Sequence, residues 1–302
     1  MQLILKRIFG TTVRERIANT ISYVLVFACI TLGMQLKWAS KSPNPAEWNA
    51  YSPLANAHLY ESLNPARPVA MPVVSHRGGV VPGIHEAGTL ARLDYNYSQG
   101  QRIFELDFSW TSDEQIVVKH DWNERSVIPT LDEYLAESPE DNASLTMVYD
   151  WLATHPDAFI VTDCKKRSLE GAARIRMERP ELVPQFILQI YQLKDYDLVQ
   201  SQGFRNVILT LYRCLPDAPA SSIADFMRTH DLFALTIPKK RAGDKELIKA
   251  ATDAGVPVYA HTVNDSEMLA NLLQEGIFGV YSDELNIGIT EVAAITSTAS
   301  KR

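Results

Sequence analysis

Residues 102–107, RIFELD, form a short apolar run that ends in two acidic residues. An apolar run is also followed by charged or metal-capable residues at 73–78, VVSHRG, and at 159–165, FIVTDCK. His120-Asp121 likewise follows the apolar run 116–119. In a barrel of parallel strands the carboxyl-terminal strand ends meet at one mouth, where the chemistry of such proteins is carried out. The pattern therefore predicts a polar site assembled from successive strands.

Short β-rich runs alternate with helical patterns from residue 71 onward. The predicted core strands are Val73–Ser75, Arg102–Asp107, Phe159–Asp163, Phe186–Tyr191, Asn206–Tyr212, Phe233–Ile237, Val256–His261 and Gly279–Ser282, with Ile116–Lys119 as an extra strand in a loop. The predicted helices include Thr89–Ser98, Leu131–Leu135, Met147–His155, Asp195–Gln202, Ser221–His230, Lys245–Ala254 and Ser266–Gln274. Eight such α/β units predict a TIM-type (β/α)8 barrel.

An open doubly wound sheet is the alternative fold for this alternation of strands and helices. The turn after the first strand, however, is His76-Arg77-Gly78-Gly79 and not the GxGxxG of a dinucleotide-binding sheet. The closed barrel is therefore favoured.

Three carboxylates are predicted to converge inside the barrel mouth. Side chains alternate along a strand, so Glu105 and Asp107 share one face, and Asp163 and Lys165 share a face that excludes Cys164. Hard oxygen ligands of this kind suit Mg²⁺ or Ca²⁺ better than zinc. Taken singly, each carboxylate would be interpreted as a solvated strand end, since exposed Asp and Glu are common.

Two histidines, His76 and His120, follow two of these apolar runs. A histidine pair can act as base and acid because both rings titrate near neutral pH. Either histidine alone would be assigned a structural or surface role, and it is their order beside the acidic residues that favours catalysis.

A membrane anchor is predicted at residues 18–36. Residues 21–36 carry no charge, and with residues 18–20 they reach roughly the 20 residues that span a bilayer. Four basic residues in 1–17 precede the segment, against two that follow closely, which predicts a short cytoplasmic N-terminus and a domain on the outer, extracytoplasmic side of a single-pass membrane protein. A cleaved signal peptide, a lipoprotein signal ending at Cys29 and a buried soluble helix remain alternatives.

The rest of the chain divides by composition. Residues 37–70, rich in Pro, Asn, Ser and Ala, are predicted to be a tether, 71–290 the barrel, and 291–302 a C-terminal tail. The net charge of −7 argues against nucleic acid as a partner. Three cysteines without CxxC spacing predict neither a disulfide framework nor a zinc site.

The motifs together resemble the glycerophosphodiester phosphodiesterase family over residues 73–286. They are the HRG at His76–Gly78, the ExD at Glu105–Asp107, the TxD at Thr111–Asp113, the HD at His120–Asp121 and the acidic-x-Lys at Asp163–Lys165. The resemblance implies that a metal-dependent enzyme hydrolyses glycerophosphodiesters to an alcohol and glycerol 3-phosphate.

The resemblance also implies residue roles. Glu105, Asp107 and Asp163 would bind one divalent metal, and His76 and His120 would perform acid–base catalysis. Arg77 and Lys165 would neutralise phosphate oxygens, and His261 would contact substrate where the family usually has Trp. A neighbouring substrate hydroxyl would attack phosphorus to give a cyclic phosphate that water then opens.

The chain departs from the family pattern in three further places. The Glu-Asn-Thr turn after the HRG element is replaced by residues 85–89, HEAGT, and Asp163 stands where Glu is common. The interval between His120 and Asp163 is short, which predicts an open mouth that could admit larger phospholipid headgroups.

Two other functions remain open at this stage. The Asp-x-Lys element is similar to that of sphingomyelinase D-like phospholipases, so a sphingomyelinase D-like or lysophospholipase D-like lipid phosphodiesterase is one alternative. The other is a catalytically silent, membrane-tethered phosphoester-binding protein.

Overall fold

The predicted strands close into a barrel. The computed structural model describes residues 68–84, 87–211 and 219–285. The strands of this part are β1 (Val73–Ser75), β2 (Ile103–Trp110), β3 (Ile116–Val118), β4 (Phe159–Asp163), β5 (Phe186–Ile190), β6 (Val207–Thr210), β7 (Ala234–Pro238), β8 (Val258–His261) and β9 (Gly279–Ser282). All except β3 pair in parallel, in the order β1-β9-β8-β7-β6-β5-β4-β2.

The first and second barrel strands complete the circle. β1 pairs with β2 at Ser75↔Phe104 and with β9 at Val73↔Val280, so no barrel strand is left with an open edge. The predicted eight-stranded TIM-type barrel is confirmed, and the open doubly wound sheet is wrong.

Helices cover the outside of the barrel. They are α1 (Thr89–Ser98), α2 (Leu131–Glu137), α3 (Leu145–Thr154), α4 (Ser168–Glu178), α5 (Asp195–Ser201), α6 (Ala220–Thr229), α7 (Lys245–Asp253) and α8 (Ser266–Gln274). α4 is missing from the predicted helices. Its Gly171 is unfavourable inside a helix, and no side chain caps the first turn, which begins after Arg167.

Side-chain alternation along the strands produces two cores. Ile103 and Val161 point into the barrel, where they join residues such as Tyr259 and Tyr281. Phe104 and the other alternate strand residues point outward against the helices. Burying one such apolar side chain contributes about 1.5–3 kcal/mol. The two cores therefore hold each strand at a fixed rotation, which decides which residues face the mouth.

The β2–β3 hairpin extends the mouth beyond the barrel. Its turn is built by Thr111, whose hydroxyl donates to Asp113 Oδ1 at 2.6 Å and accepts from the Gln115 N–H at 3.0 Å. β3 then returns antiparallel to β2, and the N–H of Lys119 donates to the Asp107 carbonyl at 2.9 Å. The hairpin therefore brings the chain back to the level of the acidic pair just before His120.

The predicted anchor at 18–36, the cytoplasmic segment 1–17, nearly all of the tether 37–70 and the tail 291–302 lie outside the described residues. Within residues 68–84, 87–211 and 219–285, no helix is both long and apolar enough to cross a bilayer. The anchor thus stays a prediction.

Closure of the barrel brings the backbones of β1 and β9 unusually near each other at one glycine. A Cβ on Gly279 would lie 2.4 Å from the Pro72 carbonyl oxygen, which itself accepts from the Val280 N–H at 2.9 Å. An alanine can be accommodated only if the two strands separate.

We therefore expect Gly279→Ala to lower the free energy of unfolding by about 1–3 kcal/mol, the usual cost of overpacking. Urea unfolding, monitored by tryptophan fluorescence, measures this change in the free energy of unfolding. Gly243→Ala is the matched control, because nothing lies within 4 Å of a Cβ there. Equal midpoints for the two variants would contradict the close approach.

Candidate active site

Three buried carboxylates meet at the carboxyl ends of β2 and β4. The two strands are hydrogen-bonded neighbours, and Asp107 lies directly beside Asp163 in their register. One oxygen of each of Glu105, Asp107 and Asp163 lies within 4.8 Å of the others, and the residues are only 2%, 4% and 4% exposed. The predicted convergence of these three side chains is thus observed.

The negative charges of the three carboxylates repel one another. Burial, followed by the charges of Asp107 and Asp163, raises the pKa of Glu105 well above its ordinary value. Glu105 Oε1 is buried and has no hydrogen-bond partner among the described residues, although Oε2 accepts from the Arg77 N–H at 3.0 Å. An unsatisfied oxygen inside a cluster of anions is what a bound cation would correct. The donor set, all oxygen, fits Mg²⁺ or Ca²⁺.

Lys165 supplies the nearest positive charge. Its ammonium group contacts Asp107 and lies 2.9 Å from Asp163 Oδ2. Burial disfavours the charged form of Lys165, but the negative charges of Asp163 and Asp107 outweigh it and raise its pKa. The intervening Cys164 points outward into the helix-facing core, and burial raises its thiol pKa to about 12, so this thiol stays protonated.

His76 faces the cluster from β1. Its Nε2 lies 3.8 Å from Glu105 Oε2, and its Nδ1 lies 2.7 Å from Asp283 Oδ1. An ionised carboxylate only accepts hydrogen bonds, so the proton of the neutral ring is assigned to Nδ1. That tautomer leaves the lone pair of Nε2 directed toward the carboxylate cluster.

Asp283, which follows β9, is a site residue that the sequence analysis missed. The hydrogen bond from His76 outweighs partial burial, and a second bond from Asn264 Nδ2 at 2.9 Å assists it, so the pKa of Asp283 falls to about 2. The Asn264 amide oxygen in turn accepts from the Asp283 N–H at 2.9 Å. Asp283 is thus ionised at any pH above about 2. Its place directly after a strand was the available signal.

The HRG turn has a strained but well-supported backbone. Arg77 has φ 52°, a left-handed value uncommon for a residue with a side chain. The amide of Asn96 on α1 donates to the Gly78 carbonyl at 2.9 Å and to the Val80 carbonyl at 3.2 Å. This turn directs the Arg77 N–H at Glu105 and leaves the guanidinium half-exposed, with Nε 3.4 Å from Asp107 Oδ2.

His261 ends β8 beside His76. The two rings meet edge to face with their centroids 4.8 Å apart, and Tyr281 flanks His261 at 5.2 Å. Burial, with a smaller contribution from His76, lowers the pKa of His261 to about 4. This ring is therefore neutral at pH 7 and forms part of the wall around His76.

Tyr191, just after β5, supports the cluster from a third strand. Its hydroxyl donates to Asp163 Oδ1, and it accepts from Gln189 Nε2 at 3.2 Å. Both side chains are buried. The sequence favoured a packing role for Tyr191 at the end of its strand, whereas in the structure its hydroxyl donates to Asp163.

His120 is the predicted site residue that the structure leaves apart from the others. It lies on the loop after β3 with its side chain 49% exposed, and its recorded partner is Asp121, whose Oδ2 lies 2.5 Å from Nδ1. Among the described residues the recorded contacts do not join His120 to the carboxylates or to His76. The other seven predicted residues, His76, Arg77, Glu105, Asp107, Asp163, Lys165 and His261, lie in one connected group.

A cavity of about 510 Å³ lies at the opposite end of the barrel. Its lining includes Pro68, His230 and Val256, which precede strands or end helices. Because barrel enzymes carry their chemistry at the carboxyl end of the strands, the carboxylate cluster is the candidate site and this cavity is not.

No family model matches the sequence, and no curated protein is significantly similar to it. Solved structures do match in fold. A glycerophosphodiester phosphodiesterase from Parabacteroides distasonis superposes with a TM-score of 0.59 at 15% identity, over 76% of this chain and 98% of that one. A putative one from Galdieria sulphuraria gives 0.60 at 14% identity, over 76% and 100%.

A third match is an Oleispira antarctica phosphodiesterase in complex with the product sn-glycerol-3-phosphate. Its TM-score is 0.54 at 18% identity, over 78% of this chain and 98% of that one. At these identities the matches establish the barrel fold. The fold resemblance predicted from the motifs is confirmed.

The buried negative charge predicts that one substitution has different effects on the melting temperature without and with a divalent metal. Because the folded-state pKa of Glu105 is raised, the metal-free protein loses stability as pH rises above about 4.5, where the unfolded chain releases its proton first. We expect Glu105→Gln to raise the melting temperature of the metal-free protein at pH 7 and to abolish the further rise that Mg²⁺ or Ca²⁺ gives the unaltered protein.

Thermal unfolding with chelator or with added metal measures both effects. Glu137→Gln is the control, because the hydrogen bond from Arg125 lowers the pKa of Glu137, so removal of this carboxylate should not stabilise the protein. Loss of stability in metal-free Glu105→Gln would contradict the repulsion that we describe.

Proposed function

We propose that this chain is a metal-dependent phosphodiesterase of the glycerophosphodiester phosphodiesterase family, which hydrolyses glycerophosphodiesters to an alcohol and glycerol 3-phosphate. The observation that carries the proposal is the buried cluster of Glu105, Asp107 and Asp163 beside the His76–Asp283 pair. A binding protein has no need of a histidine that is oriented by a carboxylate and directed at a cation site.

Glu105, Asp107 and Asp163 would hold one divalent cation, Mg²⁺ or Ca²⁺. When bound, it would supply Lewis-acid polarisation of the phosphate. Arg77 and Lys165 flank the same carboxylates and carry fixed positive charge. Their role would be to bind the phosphate oxygens and to stabilise the charge that accumulates on them in the transition state.

His76 is suited to be the general base. Asp283 holds its Nδ1, so Nε2 can accept the proton of the attacking hydroxyl. That hydroxyl, the neighbouring one on glycerol, would form a bond to phosphorus as the bond to the leaving alcohol breaks. His120 would protonate the departing alkoxide, which requires the half-exposed loop after β3 to move toward the bound phosphate. Water then opens the cyclic phosphate with the two histidines in reversed roles.

His261 would contact the substrate as a neutral wall. With its pKa near 4 it adds no positive charge beside His76 at neutral pH. It stands where family members usually carry a tryptophan. A smaller, polar ring at this position suits a site that accepts more than one alcohol.

The location of the enzyme is part of the proposal. The uncharged run at 18–36 and the basic residues before it support a single-pass membrane protein with the barrel on the outer, extracytoplasmic side. Its substrates would then be glycerophosphodiesters or phospholipid headgroups, and not nucleic acids.

Substrate cleavage tests the activity directly. We expect the full-length protein, purified in detergent, to release choline from glycerophosphocholine with Mg²⁺ or Ca²⁺ and to stop in chelator. His76→Ala should reduce kcat by at least about 10²-fold, the usual contribution of an acid–base group, and Asp163→Asn should lower metal-dependent turnover because it removes a charged ligand of the proposed cation. His230→Gln is the matched control, because that ring stacks on Phe226 far from the mouth.

Parallel assays with lysophosphatidylcholine and sphingomyelin separate the enzyme classes. Preference for either lipid would replace the proposed substrate by that of a lysophospholipase D-like or sphingomyelinase D-like enzyme. A folded protein that binds metal yet cleaves none of the three would be a silent phosphoester-binding protein, and the proposed activity would be wrong.

The His76–Asp283 pair predicts a specific kinetic defect. Asp283→Asn keeps the shape of the side chain but can donate to Nδ1, which favours the wrong tautomer. We expect kcat to fall by about 10²-fold or more, while KM changes little because Asp283 does not reach the phosphate site. Steady-state kinetics measures the split; Asp265→Asn, a helix N-cap outside the site, should leave kcat unchanged. A change confined to KM would show that Asp283 acts on binding instead.

A further inference from the structure

Lysines without ion-pair partners concentrate at the mouth of the barrel. Lys166, Lys194, Lys239 and Lys240 follow β4, β5 and β7, and all four are exposed. No ion pair is recorded for any of them within the described part of the chain. Among the acidic side chains close in sequence to these lysines, Glu170 is engaged by Arg167 and Asp244 by Arg241.

This concentration contrasts with the rest of the described surface. At the other end of the barrel and along its flanks, basic side chains typically have acidic partners, as Arg102 has Asp157, Arg228 has Asp225 and Lys249 has Asp253. The full chain carries a net charge of −7. Exposed lysines clustered at one opening of an acidic protein would attract an anionic surface toward that opening.

The other side of the same mouth exposes apolar side chains. Val80 and Ile84 follow β1 and are 41% and 56% exposed, and Val127 and Ile128, on the loop after β3, are 75% and 41% exposed. Four of the nine large hydrophobic residues exposed in the described part of the chain thus belong to two mouth loops. Apolar residues at loop tips beside basic residues suit the interface of a bilayer, where the former enter the headgroup layer and the latter meet lipid phosphates.

We propose that the barrel mouth docks on an anionic lipid bilayer, with the lysines of the β4, β5 and β7 loops on lipid phosphates and the apolar loops after β1 and β3 in the headgroup layer. Docking would place the carboxylate cluster directly over the lipid. The inference deepens the proposed function. Only one part of it rests on that function, namely the conclusion that the substrate is a lipid headgroup, or the diester of one, presented at the bilayer surface. Docking itself needs no turnover.

Lysine acetylation footprinting of the full-length protein reconstituted in vesicles tests the docking. We expect acetylation of Lys166, Lys194, Lys239 and Lys240 to fall at least fivefold when phosphatidylglycerol is added to phosphatidylcholine, and to recover in high salt. Lys249, on the flank of the barrel, should be acetylated equally in both. Equal acetylation of the mouth lysines in neutral and anionic vesicles would overturn the proposal.

Charge variants test whether the mouth lysines, and not the net charge of the protein, are responsible for binding to anionic vesicles. Each lysine near an anionic surface contributes about a fivefold gain in binding. The triple variant Lys194→Gln, Lys239→Gln, Lys240→Gln should therefore abolish the protection of Lys166. The matched triple Arg205→Gln, Arg228→Gln, Lys249→Gln removes three exposed charges elsewhere and should keep it. Protection lost in both triples would mean that net charge, and not the mouth, is responsible.

The apolar loops are tested in the same assay. Val127→Asp with Ile128→Asp should weaken protection of the lysines, whereas Met177→Asp, at an exposed residue of α4, should not. Thermal unfolding checks that all variants fold, as their exposed positions lead us to expect.

Failure of the docking and failure of the proposed activity give different results. His76→Ala should dock like the unaltered protein, and the mouth triple should cleave soluble glycerophosphocholine at the unaltered rate. Protection without any cleavage would leave docking standing and reject the activity. Binding of heparin in detergent, with no response to anionic vesicles, would assign the lysines to another polyanion and overturn docking.

Discussion

Mutual repulsion among three buried carboxylates is the constraint on which the rest of this structure depends. Glu105, Asp107 and Asp163 are brought together because two neighbouring parallel strands place them in register, while the apolar residues that alternate with them are fixed in the two cores. The fold thereby forces like charges together in a setting where burial raises the pKa of Glu105. Such an arrangement is stable only if positive charge or hydrogen-bond donors offset the repulsion between the carboxylates. Lys165 supplies part of this compensation, the Arg77 N–H supplies more, and the unsatisfied Oε1 of Glu105 marks what a divalent cation would complete.

The surrounding polar groups form a support that keeps the reactive atoms oriented. Tyr191 holds Asp163, and Asp283 holds His76 while Asn264 holds Asp283. The supporting residues Tyr191, Asn264 and Asp283 come after β5, β8 and β9. The strand ends that bring the carboxylates together therefore also position the groups that support the site. His120 is the exception, since it lies on a half-exposed loop and has Asp121 as its recorded partner. One histidine is thus held beside the carboxylates by Asp283, and the other lies outside their contacts.

Much of the fold and most of the site could be predicted from the sequence, for identifiable physical reasons. The strands are short and strongly apolar, so their number and the shared face of Glu105 and Asp107 follow from periodicity alone. Helix α4 could not be predicted in this way, because Gly171 is unfavourable in a helix and no capping side chain marks where the helix begins. Asp283 was missed because an aspartate after a strand is common, and only ring closure shows that it faces His76. The placement of His120 depends on the path of a long loop, for which the sequence holds no periodic signal.

The pairing of His76 with Asp283 joins residues that are 207 positions apart. The first strand of the barrel emerges from the ribosome early, whereas the carboxylate that orients its histidine is among the last parts of the barrel to be made. Because the chain is made from its N-terminus, His76 acquires this partner only after the last strand of the barrel has been synthesised.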